Sequence, residues 1–176
     1  MNDAMSDSPV SQPRRLQIQA LTRERFSRFG DVLDASGVCD HVSNGGAVEV
    51  FRNRAGLDFE TQGGRASVSV VRSAPSRLPL QIKVMENHPL GSQAFAPLGG
   101  GEWLVLAAPA GRLDPNAIEA FRVAANQGVN YRRGVWHHPL IALNQVSDFV
   151  IIERAGDGDN LALETLAEPL EIVSLD

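Results

Sequence analysis

Four residues in two turn-rich segments carry side chains suited to chemistry: Glu86, His88, Gln93 and His137. Imidazole titrates near neutral pH, so His88 and His137 can each take or deliver a proton. The Glu86 carboxylate can share that work or orient an imidazole. With the amide oxygen of Gln93, the same set suits a hard or borderline divalent cation. The spacing E-x-H-x4-Q is not a specific ligand pattern, and a lone histidine is more often structural. The cation therefore rests on the four occurring together.

The elements that must position these groups are strands. Side chains alternate across a strand with period two. In the stretch 80–88, Leu80, Ile82 and Val84 share a face that runs on to Glu86 and His88, and Met85 is the apolar exception on the other face. In 66–72, Val68 and Val70 share their face with Arg72. Two apolar inner faces thus end in polar groups. Buried charge needs a partner or ligand, so the expectation is a hollow at one end of a barrel. Pro89 and Gly91 mark a turn, and a hairpin there would return Gln93 beside Glu86 and His88. Of the adjacent His137 and His138, only one can face inward.

Short apolar runs between turn signals predict strands near 15–20, 47–52, 66–72, 79–88, 92–98, 102–109, 128–131, 140–145 and 148–154, in an all-β sandwich or barrel. Two helices are expected. One spans 21–30, capped by Thr22 and closed by Gly30. The other spans 114–125, with Asp114 at its cap, Pro115 in its first position and a stripe of Ile118, Phe121 and Ala125.

The 176 residues show no repeat and no dividing linker, so residues 1–13 read as a disordered tail and 14–176 as a single domain. A net charge of −5 without a Lys/Arg stripe argues against nucleic acid as a partner. No apolar run nears the roughly 20 residues that span a bilayer, which argues against a membrane partner. The polar start lacks a secretory core, and the single Cys39 allows no intramolecular disulfide; both fit a cytoplasmic location.

Longer motifs carry a resemblance. Glu86-Asn-His88-Pro-Leu-Gly-Ser-Gln-Ala-Phe-Ala-Pro-Leu98 resembles the ERHPLGSQAF-P segment of the ureidoglycolate lyase (ureidoglycolate hydrolase) family. Gln127-Gly-Val-Asn-Tyr131 and Gly134-Val-Trp-His-His-Pro-Leu140 are similar to its QGVNY and GVWHHPL stretches, and 148–160 to its DF-(V/I)-DR-G-G-N ending. The similarity runs in order over roughly residues 15–165. The chain departs from the family pattern at Asn87 (usually Arg), Glu153 (usually Asp) and Leu161 (often Cys).

The resemblance implies a cupin-type β-barrel, or double-stranded β-helix, with a few short helices, assembled as a homodimer. It implies a divalent metal, nickel or zinc, on Glu86, His88, Gln93 and His137, which stand where cupins place their ligands. It implies a small-molecule substrate, ureidoglycolate, split into glyoxylate and urea within purine (allantoin) breakdown. Catalysis would then fall to His88, His137 and Glu86. Arg72 or Arg154 would grip the carboxylate, and Ser92, Gln93 and Asn160 would bind the ureido group. Tyr131 and His138 complete the substrate-binding set, although Tyr131 also reads as a packing residue. Two alternatives remain at this stage: a non-catalytic module that binds a small carboxylate, and a metal-dependent cupin enzyme acting on another hydroxy acid.

Overall fold

The computed structural model describes residues 13–175, so all but the last residue of the expected tail lies outside the described residues. The fold is mainly β and cupin-like, with only short helical turns. Strands β1 (Arg14–Arg15) and β2 (Ile18–Ala20) precede a one-turn helix, α1 (Arg23–Phe26), then β3 (Gly30–Leu33) and a small hairpin of β4 (His41–Ser43) and β5 (Val48–Val50). There follow β6 (Arg65–Ser73), β7 (Pro75–Ser76), β8 (Leu80–Asn87), β9 (Gln93–Pro97) and β10 (Trp103–Ala108). The last part holds β11 (Glu119–Val123), β12 (Gly128–Tyr131), β13 (Trp136–His137), β14 (Ile141–Leu143), β15 (Ser147–Ala155) and β16 (Ala162–Ile172).

Two sheets build the barrel. The larger runs β1-β16-β8-β13-β10-β11-β2, with β14 beside β10 and β7 beside β14; the smaller runs β3-β12-β9-β15-β6. Strand β10 is the pivot, because all six of its residues are buried. Trp103, Val105 and Ala107 join Phe95, Val129, Tyr131 and Phe149 of the smaller sheet in one core. Leu104, Leu106 and Ala108 join Ile82, Met85, Trp136 and Ile141 in a second core behind it. A strand covered on both faces reads as a continuous apolar run, which is what 103–108 shows. Burying each large side chain here contributes roughly 1.5–3 kcal/mol.

Several expectations need correcting. The helix expected over 114–125 is a single 3₁₀ turn, Pro115–Ala117, followed by β11. The cap itself is present, with the Asp114 side chain accepting from the Asn116 N–H at 2.9 Å. Beyond it, Ile118 and Ala120 enter one core while Phe121 and Val123 enter the other. A strand buried on both faces satisfies the same apolar spacing as a helical stripe, and pairing with β10 decides between them. In the first expected helix Thr22 caps α1 as read, but Gly30 opens β3 instead of closing the helix.

The face assignment on β6 is reversed. Val68 and Val70 are 67% and 65% exposed, and it is Val71 that packs inward. On β8, Ile82 and Met85 lie three residues apart in the same core, so strict alternation does not run through 82–85. The partner strand β16 carries an irregularity there, stepping from Thr165 to Leu170 while β8 steps from Val84 to Ile82. Strand β16 itself escapes sequence reading because Pro169 and three glutamates interrupt its pattern. Among the described residues no helix is long and apolar enough to cross a membrane.

Candidate active site

The site forms where the larger sheet faces the smaller one. In the larger sheet, β13 pairs antiparallel with β8 and sets His137 directly opposite Glu86. His88 follows β8 by one residue, so it and Glu86 project from the same side of that strand end. The two histidine rings lie 5.3 Å apart, centre to centre. One donor atom from each of Glu86, His88 and His137 falls within 4.8 Å of the other two.

Gln93 reaches this cluster, but not by the expected hairpin. Strand β9 belongs to the smaller sheet, between β12 and β15. Gln93 therefore arrives from the facing wall, and its Oε1 lies 3.0 Å from His137 Nε2. Tyr131, also on the facing wall, stacks on the His137 ring at 4.1 Å with an 8° interplanar angle. That contact holds the imidazole in place, since His137 is 1% exposed.

Hydrogen-bond accounting orients each group. The Asn160 carbonyl lies 2.7 Å from His88 Nδ1. A carbonyl only accepts, so Nδ1 carries the proton and Nε2 is left with a lone pair. That Nε2 is buried without a hydrogen-bond partner. His137 Nδ1 likewise faces a carbonyl, Val135 O, at 3.1 Å. Its Nε2 meets Gln93 Oε1 and, at 3.5 Å, Glu86 Oε1. Acceptor atoms thus converge on one small volume, and such a set is stabilised by a positive centre, either a proton or a cation.

Comparison with known proteins gives the family. The family model described as "Ureidoglycolate lyase" matches residues 13–173. A protein named ureidoglycolate lyase from Burkholderia mallei (strain NCTC 10229) is 46% identical over 157 residues, covering 89% of this chain and 92% of its own. Proteins of the same name from Pseudomonas putida (strain F1) and Rhizobium etli (strain CFN 42) are 39% and 40% identical, over 84% and 85% of this chain and 89% and 90% of their own. This chain belongs to the ureidoglycolate lyase family.

Electrostatics in this ureidoglycolate lyase family site follow from burial and the converging groups. Burial raises the Glu86 carboxyl, but the hydrogen bond and charge of His137, with His88 and His138 nearby, outweigh it and hold the group below its ordinary value. Burial lowers His88, and His137 adds to this, against the opposing pull of Asn160, Glu86 and Glu153. His88 is therefore biased toward its neutral, proton-accepting form. Burial, with Glu86 adding to it, pushes the Tyr131 phenol upward, so it stays protonated. Burial also lowers His138.

Other residues expected at the site stand outside the donor cluster, although Asn160 touches His88. Arg72 is on the exposed face of β6 and forks onto Asp148, with contacts of 2.7 and 2.8 Å. Arg154 is 4% exposed but points away from the cluster, being the neighbour of inward-facing Glu153 on β15. It lies under the 61–64 loop, donating to the carbonyls of Thr61, Gln62 and Asp157. Gly64 and Gly91 make its slot, because a Cβ at either would come within 2.3 or 2.7 Å of the Arg154 side chain. Ser92 Oγ accepts from the Asp58 N–H at 2.8 Å and pins the segment just before that loop. Asn160 anchors His88 through its carbonyl, and its side chain accepts from Leu90 N–H at 2.9 Å. His138 hydrogen-bonds to the Pro139 carbonyl and stands outside the donor cluster.

One residue enters that the sequence marked only as a departure from the family pattern. Glu153 pairs in register with Gln93 and accepts from its Nε2 at 2.8 Å. Period-two alternation along β15 from Phe149, which lies in the inter-sheet core, would have found it. Arg133 sits in the loop between Tyr131 and His137, next to Gly134, whose N–H donates to the His88 carbonyl at 2.9 Å. The Arg133 guanidinium reaches Asp58 and Thr61, and with Gly56, Asp58, Ser92 and Arg132 it lines a cavity of about 310 Å³ whose lining does not include Glu86, His88, Gln93 or His137.

Proposed function

We propose that this chain is a ureidoglycolate lyase that splits ureidoglycolate into glyoxylate and urea. The observation that carries the reading is the convergence of Glu86, His88 and His137 with a buried, unpartnered His88 Nε2. Ureidoglycolate is a carbinolamine. The reaction removes the hydroxyl proton, forms the aldehyde C=O, breaks the C–N bond and returns a proton to the urea nitrogen, consuming no water. In this reading His88 Nε2 accepts the hydroxyl proton. In the same reading His137, whose Nε2 lies between Gln93 Oε1 and Glu86 Oε1, delivers a proton to the departing nitrogen. Glu86 steadies the positive charge on both imidazoles.

The donor set also fits a divalent cation, nickel or zinc, held by Glu86, His88 and His137 with Gln93 Oε1 as a fourth donor. When bound, such an ion would polarise the substrate hydroxyl and carboxylate oxygens and make the hydroxyl proton easier to lose. The lone pairs that would hold it are the same ones that would take the proton, so both readings use the same residues.

Since Arg72 and Arg154 face away, Arg133 is proposed as the substrate carboxylate's partner, supported by its place between Tyr131 and His137. A homodimer is also proposed. The outer face of the smaller sheet presents exposed Val68 and Val70 beside Ile152 and Val150, an apolar surface for a second copy to cover. A cytoplasmic location fits the lone cysteine.

The direct test is purified protein with racemic ureidoglycolate. Glyoxylate and urea are expected. Ammonia and carbon dioxide alongside glyoxylate would mean hydrolysis and would overturn the lyase assignment.

A further inference from the structure

We infer that Glu153 is a positioning residue that sets the orientation of the Gln93 amide and through it the environment of His137 Nε2. An amide's two ends are nearly the same shape, so its neighbours decide which end points where. Glu153 and Gln93 are partners in register on β15 and β9, both facing the barrel interior. An ionised carboxylate only accepts, so it captures the Gln93 N–H₂, at 2.8 Å. The amide oxygen must then face His137 Nε2, at 3.0 Å. The imidazole cannot turn away, because Val135 O engages its Nδ1 and Tyr131 stacks on its face.

The alternative orientation is chemically different. A reversed amide would donate N–H to His137 Nε2 and occupy its lone pair. In the arrangement held by Glu153, the Nε2–Oε1 gap is open to a positive centre. Glu153 therefore acts without touching the reacting atoms. The inference deepens the lyase reading, and its kinetic arm rests on that reading.

The test has two arms. In isotopically labelled wild-type protein, no through-hydrogen-bond N–H···N scalar coupling should join the Gln93 side-chain nitrogen to His137 Nε2, because the amide oxygen faces that atom. In Glu153→Met, which lacks the carboxylate acceptor, that coupling should appear. This arm needs no substrate, so it decides the orientation even if ureidoglycolate is not turned over. In the kinetic arm, Glu153→Met should lower kcat at least about tenfold with an unchanged melting temperature. Combined with Gln93→Ala, it should lower kcat no further than Gln93→Ala alone, within about twofold. The inference is overturned by a wild-type N–H···N coupling between Gln93 and His137 or by its absence in Glu153→Met. Wild-type kcat in Glu153→Met, or losses that multiply in the double variant, would overturn it equally.

Discussion

Glu86 and His137 face each other as cross-strand partners on β8 and β13, with Glu86 Oε1 3.5 Å from His137 Nε2. Around this pair the barrel gathers His88 from one wall and Gln93, Glu153 and Tyr131 from the other. The contact places a carboxylate and an imidazole from non-adjacent segments in a largely buried site, where charge–charge interaction is stronger than in water.

Replacing either histidine should remove most turnover. His88→Ala and His137→Asn should each lower kcat/KM at least about tenfold, the range expected for loss of a proton-transfer group. Far-UV circular dichroism should show a folded protein in both cases. Near-wild-type rates for both variants would exclude them from the chemistry.

The converging donor atoms should bind a divalent cation. Calorimetric titration with zinc or nickel should give a site whose affinity falls about 10–100-fold or more in Glu86→Gln and His88→Ala. A wild-type titration without binding heat, or equal affinity in the variants, would place the cation elsewhere or remove it.

Carboxylate recognition should separate the arginines. Arg133→Ala is expected to raise KM about tenfold, as loss of a charge-assisted contact to substrate does. Arg72→Ala should leave both KM and kcat unchanged, because its guanidinium is engaged by Asp148 on an exposed face. The reverse pattern would contradict the assignment.

Arg154→Met should weaken the fold instead of substrate binding. It leaves the carbonyls of Thr61, Gln62 and Asp157 without their donor. Thr61 is half-buried while Gln62 and Asp157 are exposed, so water replaces part of the loss and the net cost is about 2–3 kcal/mol. A fall in melting temperature of about 5–10 °C is expected for a chain of this size. A Tm equal to wild type would mean that the loop does not depend on this side chain.

Acid stability should depend on Asp34. Burial opposes its charge, yet hydrogen bonds from Ser36, Gln127 and Arg23 lower it from 3.8 to about 2. A depressed carboxyl stabilises the fold above its unfolded value and loses that contribution as pH falls toward its folded value. The Asp34→Asn variant should therefore be less stable than wild type at neutral pH, with the difference shrinking between about pH 4 and 2. A constant difference across that range would count against the linkage.

The residue types of the site were legible in the sequence, as were most of the strands. Glu86, His88, Gln93 and His137 announce themselves by chemistry and by motifs that match the ureidoglycolate lyase family in order. Alternation also places Glu86 and His88 on a common side of their strand, and that relationship is purely local.

What only the tertiary structure decided is which side of each strand becomes the interior, and which wall each residue occupies. Val68 and Val71 are equally apolar, so the pattern on β6 permits either face inward; pairing of Val71 with Phe149 settles it and turns Arg72 to solvent. Glu153 and Arg154 are adjacent charges, and the register of β15 against β9 sends one into the site and the other beneath a loop. Gln93 meets His137 across the barrel, not across a hairpin. A strand's own sequence repeats every two residues, and a one-residue change of face alters no local contact. The choice comes from partners distant in the chain, so it appears only when the two sheets close on each other.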